Sequence, residues 1–270
     1  MRGTISCFVT EFCNVSPEAI TGSCYVKGCL ALTLFMIDPN PTAPVREQPI
    51  VTVDIVLLTL KENELCAALL QRIRPPHAGE WTLPGGFVYT DTDEDALAAA
   101  TRILKTKAGV ESPYLEQLQT FAGRHRDSRG WSVSIAHYAL VPHQTLSTDG
   151  RETSPLKWRA VDSIRSLPFD HRDILRTAVE RVRSKTNYSS LPVHLMPPTF
   201  SLSELQKVYE MLLGTDLDKR SFRRRIEELD VVEPAPNPAT TRSAHRPAQM
   251  YRVKRKASNA VATADRNLIR

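Results

Sequence analysis

The sequence predicts an α+β fold in two parts, an α/β/α sandwich around a mixed sheet followed by a C-terminal winged helix-turn-helix. Three observations support this prediction. In residues 50–184, segments rich in β-branched residues are mixed with helical patterns, which is typical of a sheet with helices on both faces. Prolines within residues 186–198 separate two different compositions and indicate a domain boundary. Beyond them, two helical patterns flank a glycine, and two strand-like segments follow.

The sandwich is predicted over residues 47–188. Its first two strands form a hairpin, because they are joined by the polar turn Lys61-Glu-Asn-Glu64. A loop containing Pro75-Pro76 then leads to a glycine-rich segment and the first helix. The predicted strands are residues 50–60, 65–72, 114–121 and 132–141, and the predicted helices are residues 95–107 and 171–184.

The second part is predicted over residues 189–256 and has clear helix boundaries. Ser201 and Glu204 have the spacing of a capping box, so a helix should begin there. Gly214 is expected to end that helix, and Asp218 to cap a second helix that runs to about Leu229. Strands over residues 231–233 and 249–253, with the loop between them, are expected to form a wing.

The second of these helices has a basic face. The apolar side is formed by Phe222, Ile226 and Leu229. A rotation of about 100° per residue places Arg220 and Arg224 opposite that side, with Ser221 and Arg223 on the flanks and Arg225 nearer the core edge. Such a helix can present guanidinium groups to phosphates and base edges in a major groove. The residues expected to contact DNA are Lys219, Arg220, Ser221, Arg223 and Arg224 on the helix and Arg246 on the wing.

Net charge supports an anionic partner for this second part. The whole chain has a net charge of +5, and residues 197–256 contain 12 Lys or Arg against 8 Asp or Glu, a net charge of +4. Most of the excess positive charge is therefore concentrated in one segment. A solvated basic face on a small interaction domain is the alternative interpretation of the same pattern.

Composition and cysteine spacing narrow the class of protein. The longest apolar run, residues 29–37, is well short of the roughly 20 residues of a membrane-spanning helix, and no secretory signal is evident. The cysteines in the first 30 residues match no paired zinc spacing, so we expect reduced thiols and no metal there.

Residues 1–46 are predicted to be a flexible leader and residues 257–270 a flexible tail. We expect a cytoplasmic protein that has no membrane partner.

The glycine-rich segment suggests a ligand-binding loop, and the helix after it does not offer ligands for a metal ion. Gly85 and Gly86 allow the main chain to approach a ligand closely, and Gly109 suits a left-handed helix cap. Mg²⁺ prefers oxygen ligands, which a helix offers well from positions spaced as residues 103, 106 and 107 are. The chain has Ile103, Thr106 and Lys107 there, so a divalent cation would meet repulsion.

Residues 81–110 resemble the phosphate-and-metal motif of Nudix hydrolases with the metal carboxylates missing. The resemblance rests on Trp81-Thr-Leu-Pro-Gly-Gly-Phe87 before the helix and on Arg102 and Gly109-Val110 in and after it. Alignment of these residues puts Ile103, Thr106 and Lys107 where the family has glutamates. The resemblance implies a Nudix-like sandwich without hydrolase activity, with no catalytic residue and no cofactor.

Both parts together resemble the NrtR family, the Nudix-related transcriptional regulators of NAD metabolism. In the second part the resemblance is carried by the segment around Ser201-Leu-Ser-Glu204, by Ser221-Phe-Arg-Arg-Arg225 and by His245-Arg-Pro-Ala-Gln-Met-Tyr251. It implies a homodimeric repressor that binds a palindromic operator upstream of NAD biosynthesis or salvage genes. It also implies that ADP-ribose, or a related NAD-derived metabolite, releases the operator by occupying the Nudix-like domain.

Candidate ligand residues lie around the glycine loop. Arg72 and Arg74 are cationic, Trp81 and Phe87 are aromatic and can line a pocket, and Arg102 can meet a phosphate. With the two glycines, the expected ligand-binding set is Arg72, Arg74, Trp81, Gly85, Gly86, Phe87 and Arg102. Core packing explains the two aromatic residues equally well, and Arg102 can instead brace the loop by pairing with Glu94. Likewise, Asp127 and Arg129 resemble a turn of the regulators but are also explained by a plain β-turn.

Two rival functions remain open at this point. An active pyrophosphohydrolase that acts on ADP-ribose would have to use Glu94 and carboxylates elsewhere, although Asp91, Asp93 and Asp95 lie in a turn without an evident partner. An RNA-binding or protein-interaction module is the third interpretation, and a preference for duplex DNA with two-fold symmetry would separate it from the first.

Overall fold

The computed structural model describes residues 48–110, 114–146, 156–236, 248–257 and 261–263. Within them the strands are β1 (Ile50–Lys61), β2 (Glu64–Gln71), β3 (Trp81–Thr82), β4 (Gly85–Phe87), β5 (Tyr114–Gly123), β6 (Ser132–Leu140), β7 (Leu156–Ala160), β8 (Phe200–Ser201), β9 (Val232–Pro234) and β10 (Met250–Val253). The α-helices are α1 (Ala96–Ile103), α2 (His143–Leu146), α3 (His171–Thr186), α4 (Leu202–Leu213) and α5 (Lys219–Leu229). The predicted leader, residues 1–46, lies outside the described residues.

The larger sheet is mixed, as predicted. Its main path runs β3-β2-β1-β6-β5, with β4 paired to β1 and β7 paired to β2. The β1 and β6 strands are parallel, and the other pairs are antiparallel. The short strands β3, β4 and β7 are additional to the four predicted ones. The pairing of β4 with β1 brings the glycine-rich segment onto the centre of the sheet.

Alternating side chains of β1 explain why helices cover both faces of this sheet. Val53, Ile55 and Leu57 pack in one apolar cluster with residues of α1. Val56 and Leu58 point to the opposite face and pack in a second cluster with residues of α3. These side chains are fully buried, so the predicted α/β/α sandwich is confirmed.

The first helix is regular for less of its length than predicted. Asp95 caps it by accepting a hydrogen bond of 2.7 Å from the Ala98 amide, and the regular α-helix ends at Ile103. The next five residues, Leu104–Ala108, form a wider π-helical turn, which ends at Gly109 with a φ of 64°. Such wide turns are often found at functional sites.

The second part is a winged helix-turn-helix. Ser201 and Glu204 form the predicted capping box, Gly214 ends α4 in the left-handed conformation, and Asp218 caps α5. The helices pack through an apolar cluster in which Tyr209 and Phe222 meet edge to face, with ring centroids 5.2 Å apart. The wing sheet has the order β8-β10-β9. No helix among the described residues is long and apolar enough to cross a membrane.

The capping box leads to a first testable prediction. We expect Ser201→Ala to lower the free energy of unfolding by about 1 kcal/mol, because the Glu204 amide loses its hydrogen-bond acceptor. Chemical denaturation measures the change. Ser203→Ala is the matched control, since Ser203 is an exposed serine in the same helical turn and does not form the cap. Equal losses in the two variants would contradict the assignment of the cap.

The segment that joins the two parts is buried. All five residues of Leu191–Leu195 are buried, and Leu191 packs in the core of the first part while Val193 packs in the core of the second. Residues 261–263 lie against the same region, with backbone hydrogen bonding between Ser190 and Ala262. The prediction of an unstructured tail is therefore wrong for residues 261–263, because they pair with the segment that joins the two parts.

Candidate ligand pocket and nucleic-acid interface

The glycine loop is held directly against a buried carboxylate. The register of β1 and β4 places Asp54 opposite Gly85. A Cβ atom on Gly85 would lie 2.0 Å from Asp54 Oδ1, so only glycine fits there. A Cβ atom on Gly86 would instead face Lys107 Nζ at 3.2 Å and Ile103 Cδ1 at 3.4 Å. The loop therefore lies between the carboxylate of β1 and the π-helical turn.

Three side chains hold Asp54. Ser134 Oγ donates a hydrogen bond of 2.6 Å to Asp54 Oδ2, and Arg126 Nη2 lies 3.5 Å from the same oxygen. His171 Nδ1 accepts the Leu83 amide, which leaves the proton on Nε2, 3.5 Å from Asp54 Oδ1. Burial by itself raises the pKa of Asp54, but His171, Ser134 and Arg126 outweigh it and lower the pKa to about 2.

Arg126 connects this carboxylate to a second one. Its guanidinium forms two hydrogen bonds of 2.9 Å with Asp170, at the start of α3, and its side chain is 8% exposed. Asp54, Arg126, Asp170 and His171 thus form one network beneath the glycine loop, buried except for the partly exposed Asp170. None of the four is in the predicted site. The available signal was Asp54, an acidic residue within an otherwise apolar strand.

Arg102 braces the loop from the other side. Its Nε and Nη2 atoms each donate a hydrogen bond of 2.7 Å to Asp93, and Nη2 also donates to the Phe87 carbonyl at 3.0 Å. The predicted alternative of pairing with Glu94 is wrong, because the turn before α1 brings Asp93 to the guanidinium. The hydrogen bonds from Arg102 are the main cause that lowers the pKa of Asp93 to about 2. Asp93 therefore has a partner, contrary to the sequence interpretation.

The three helix positions at which the sequence resemblance implies metal carboxylates, residues 103, 106 and 107, do not suit a magnesium ion. The Ile103 side chain is fully buried, and Thr106 Oγ1 donates back to the Arg102 carbonyl at 2.7 Å. Lys107 Nζ donates to the Gly85 carbonyl at 2.5 Å, so an ammonium group lies against the loop. Among the described residues, no group of three or more His, Cys, Asp and Glu side chains is arranged to hold a metal. The residues present therefore do not fit the divalent cation of Nudix hydrolases.

Further cations surround the loop. Arg72 Nε donates to the Pro76 carbonyl at 2.8 Å, and its guanidinium lies 4.9 Å from the Phe169 ring centroid. Arg129 is paired with Asp127 at 2.6 Å and lies 5.3 Å from the ring of Phe87. With Lys107 and Arg102, four cations surround the loop against the three carboxylates of Asp54, Asp93 and Asp127, and this small positive excess suits an anionic ligand.

The remaining predicted ligand residues differ in their surroundings. Phe87 is 45% exposed beside the loop, whereas Trp81 packs partly buried against the sheet core. Arg74 is exposed on the loop that follows β2. The packing of Trp81 favours the structural interpretation of that residue, and contacts from all three to a ligand remain predictions.

A cavity of 540 Å³ opens beside the buried network. Its lining is polar and rich in basic side chains, and it includes Arg126, which holds Asp54. The lining residues are His77, Arg124, His125, Arg126, Asp127, Ser128, Gly130 and Phe169. The turn around Asp127 and Arg129 thus forms part of a pocket wall in addition to being a β-turn.

The basic face of α5 is exposed in full. Lys219, Arg220, Ser221, Arg223 and Arg224 are all exposed. Of these, Arg220 and Arg224 lie opposite the buried side of the helix. As predicted, Arg225 lies at the core edge, with a side chain that is 11% exposed. Arg246, the predicted wing contact, lies outside the described residues.

Both parts of the chain match known families. Residues 48–181 match the NUDIX domain, and residues 192–253 match the NrtR DNA-binding winged helix domain. The chain is 39% identical over 206 residues to the ADPR-responsive transcriptional repressor NtrR of Acinetobacter baylyi, which covers 76% of this chain and 82% of the relative. The crystal structure of Shewanella oneidensis NrtR complexed with a 27mer DNA is 37% identical, with 81% of this chain and 99% of that chain covered and a TM-score of 0.73.

The first part alone also resembles an enzyme. The ADP-ribose pyrophosphatase of Methanocaldococcus jannaschii is 28% identical over 128 residues, which is 47% of this chain and 72% of the relative. The two domain matches and the two regulator relatives confirm the resemblance predicted from the sequence in both parts of the chain.

Proposed function

The chain belongs to the NrtR family of transcriptional regulators, and on that premise we propose that it is a repressor whose operator binding is controlled by ADP-ribose or a related NAD-derived metabolite. One observation carries the proposal: an exposed basic face on α5, within a winged helix of the NrtR type, is joined in one chain to a Nudix domain. The proposed domains are residues 47–188 for ligand sensing and residues 189–256 for DNA binding. The regulated genes are those of NAD biosynthesis or salvage, and the repressor acts in the cytoplasm, on the nucleoid.

A homodimer fits this function best. Two copies of α5 related by two-fold symmetry, about 34 Å apart, enter successive major grooves of a palindromic operator. Lys219, Arg220, Ser221, Arg223 and Arg224 then contact phosphates and base edges, with Arg246 on the wing. This assignment is supported by the DNA complex of Shewanella oneidensis NrtR and by the similarity to the ADPR-responsive repressor of Acinetobacter baylyi.

The buried segment between the domains provides a route for control. Leu191 and Val193 belong to the cores of different domains, and the Tyr114 ring of β5 stacks on His194 with centroids 4.8 Å apart. A ligand that shifts the sheet or α3 therefore shifts the base of the winged helix and changes the spacing of the two α5 helices. To release the operator, the ligand must bind more tightly to the conformation in which the two α5 helices do not match successive major grooves. Bound DNA must then weaken ligand binding by the same factor.

The ligand domain senses and does not hydrolyse in this proposal. The partial similarity to an ADP-ribose pyrophosphatase keeps hydrolysis as the second candidate. Against it stands the ammonium of Lys107, which lies against the glycine loop where a hydrolase needs a bound cation. Incubation of the purified protein with ADP-ribose and Mg²⁺ tests this directly. We expect no nucleoside monophosphate, and chelator-sensitive release of one would establish the enzyme.

The decisive experiment measures operator affinity while ADP-ribose is titrated. The purified chain is footprinted on the DNA upstream of its own gene, and its affinity is then measured by fluorescence anisotropy. We expect protection of a two-fold symmetric site and a loss of affinity as ADP-ribose is added. Unchanged affinity would reject ADP-ribose as the effector, and a preference for RNA would reject the operator.

One substitution tests the predicted contact face. We expect Arg224→Ala to weaken operator binding by about 1–3 kcal/mol, because the exposed guanidinium of Arg224 is suited to a bidentate base contact. Arg176→Ala is the control, since it removes an exposed arginine from α3 of the other domain. A neutral result for Arg224→Ala would remove this residue from the contact face.

A further inference from the structure

The Lys107 ammonium group lies against the glycine loop, where it can meet a bound ligand. Lys107 lies on the π-helical turn, and its Nζ atom donates to the Gly85 carbonyl at 2.5 Å. The same atom lies 3.2 Å from where a Cβ atom of Gly86 would be. An ammonium group has three donors, and the Gly85 carbonyl takes one of them. No other hydrogen bond of this ammonium is seen among the described residues, so two donors remain for a ligand beside the loop.

The charge of this ammonium is poorly compensated. Among the described residues, no carboxylate is ion-paired with Lys107, whereas Arg102 is matched by Asp93. Burial lowers the pKa of Lys107, and the nearby positive charges of Arg72 and Arg102 lower it further, while Asp54 acts in the opposite direction. A cation in such surroundings is stabilised when an anion binds beside it.

The lysine stands where the Nudix motif carries a metal-binding glutamate. A carboxylate there attracts a divalent cation, which in turn attracts the phosphates of the substrate. An ammonium there presents positive charge to the phosphates without an intermediary, and it repels a divalent cation.

We propose that the Lys107 ammonium replaces the divalent cation of the Nudix motif and binds the pyrophosphate of the effector directly. Binding of the effector is therefore independent of metal. The inference deepens the proposed function, on which it rests, because it names the group that recognises the pyrophosphate. It also provides a reason for the wide turn, from which Lys107 reaches the glycine loop with its Nζ atom.

The test is calorimetric titration of the full-length protein with ADP-ribose, in excess EDTA and again in excess Mg²⁺. We expect the wild-type dissociation constant to agree within about twofold between the two conditions. Lys107→Met, which keeps the length of the side chain and removes its charge, should weaken binding about 10- to 100-fold, as expected for the loss of a charge-assisted hydrogen bond. Lys107→Arg, which keeps the charge, should recover part of the affinity.

The matched control is Lys105→Met, which removes an exposed lysine from the same turn. We expect this control to keep the wild-type affinity. The melting temperature of each variant without ligand shows whether it is folded.

The outcomes separate this inference from the proposed function. Wild-type binding that requires Mg²⁺, or equal affinities of Lys107→Met and Lys105→Met, would overturn the inference and leave ADP-ribose as the effector. No binding of ADP-ribose by the wild type in either condition would overturn the effector assignment and the inference with it.

Discussion

Arg126→Met is expected to lower the free energy of unfolding by about 3–5 kcal/mol, the usual loss when one partner of a buried ion pair is removed. The Arg126 side chain lies between Asp54 and Asp170 and is only 8% exposed. Methionine fills much of the same volume but leaves two carboxylates without their cation. The Asp54 carboxylate then has only Ser134 and His171 beside it. Urea denaturation at neutral pH measures the loss.

The dependence on pH identifies the electrostatic origin of this loss. In the wild type the pKa of Asp54 is lowered from 3.8 to about 2. Its contribution to stability is therefore complete above about pH 4 and is lost as the pH falls toward 2. In Arg126→Met the pKa of Asp54 should be higher, so that the carboxyl takes up its proton earlier on acidification. The difference between wild type and variant should accordingly shrink as the pH falls.

An exposed arginine provides the control for this variant. Arg176 pairs with Asp173 at 3.0 Å, but its side chain is 60% exposed, so Arg176→Met should cost less than about 1 kcal/mol. If Arg126→Met cost no more than this control, or if its effect did not change with pH, the network would not contribute to stability as described.

The same network shows where sequence patterns stop being informative. The alternation of β1 predicts which of its apolar residues face each helix layer, and both layers are observed. It cannot predict the partners of Asp54, because Ser134, Arg126 and His171 come from β6, the turn before it and the start of α3. Those contacts are between 72 and 117 residues apart in the chain and depend on the order of strands in the sheet. Local propensity contains no information about that order.

Local signals, by contrast, fix the winged helix closely. Ser201, Gly214 and Asp218 are start and stop signals that act within one helical turn, and each performs the predicted role.

Whether Arg102 pairs with Asp93 or with Glu94 depends on a shift of one residue in the turn before α1. In that turn the Asp93 amide bonds to the Tyr89 carbonyl and its carboxylate accepts the Tyr89 amide, which fixes Asp93 against the guanidinium and leaves Glu94 exposed. The spacing of residues along the sequence cannot distinguish Asp93 from Glu94 as the partner of Arg102.

The two glycines of the loop look alike in the sequence, yet substitution should affect them very differently. Gly85→Ala is expected to destabilise the fold by about 3 kcal/mol, the upper end of the usual range for over-packing. Its Cβ atom would lie 2.0 Å from Asp54 Oδ1 and 3.0 Å from the Val53 carbonyl. The carboxylate is held by its network and the carbonyl belongs to the central strand, so neither can retreat. The loop itself must move, and ADP-ribose binding should weaken with it.

Gly86→Ala is the matched control, one residue further along the chain. Its Cβ atom would meet Lys107 Nζ at 3.2 Å, which is the far end of a flexible side chain and can move away. We therefore expect a change of less than about 1 kcal/mol, since the smaller entropy of the unfolded chain offsets part of any strain. Thermal and urea denaturation of the two variants side by side measure the contrast. Similar losses at both positions would refute the close approach to Asp54.

A double-mutant cycle assigns the Gly85 effect to its cause. Asp54→Ala alone is destabilising, because it leaves Arg126 without one of its carboxylates. If the clash arises at the Asp54 carboxylate, its removal makes room for the alanine at position 85. The double variant should then be more stable than the sum of the single effects predicts, by more than about 1 kcal/mol, a coupling expected only for groups in contact. Simple additivity would mean that the Val53 carbonyl, and not the Asp54 carboxylate, excludes a side chain from the glycine loop.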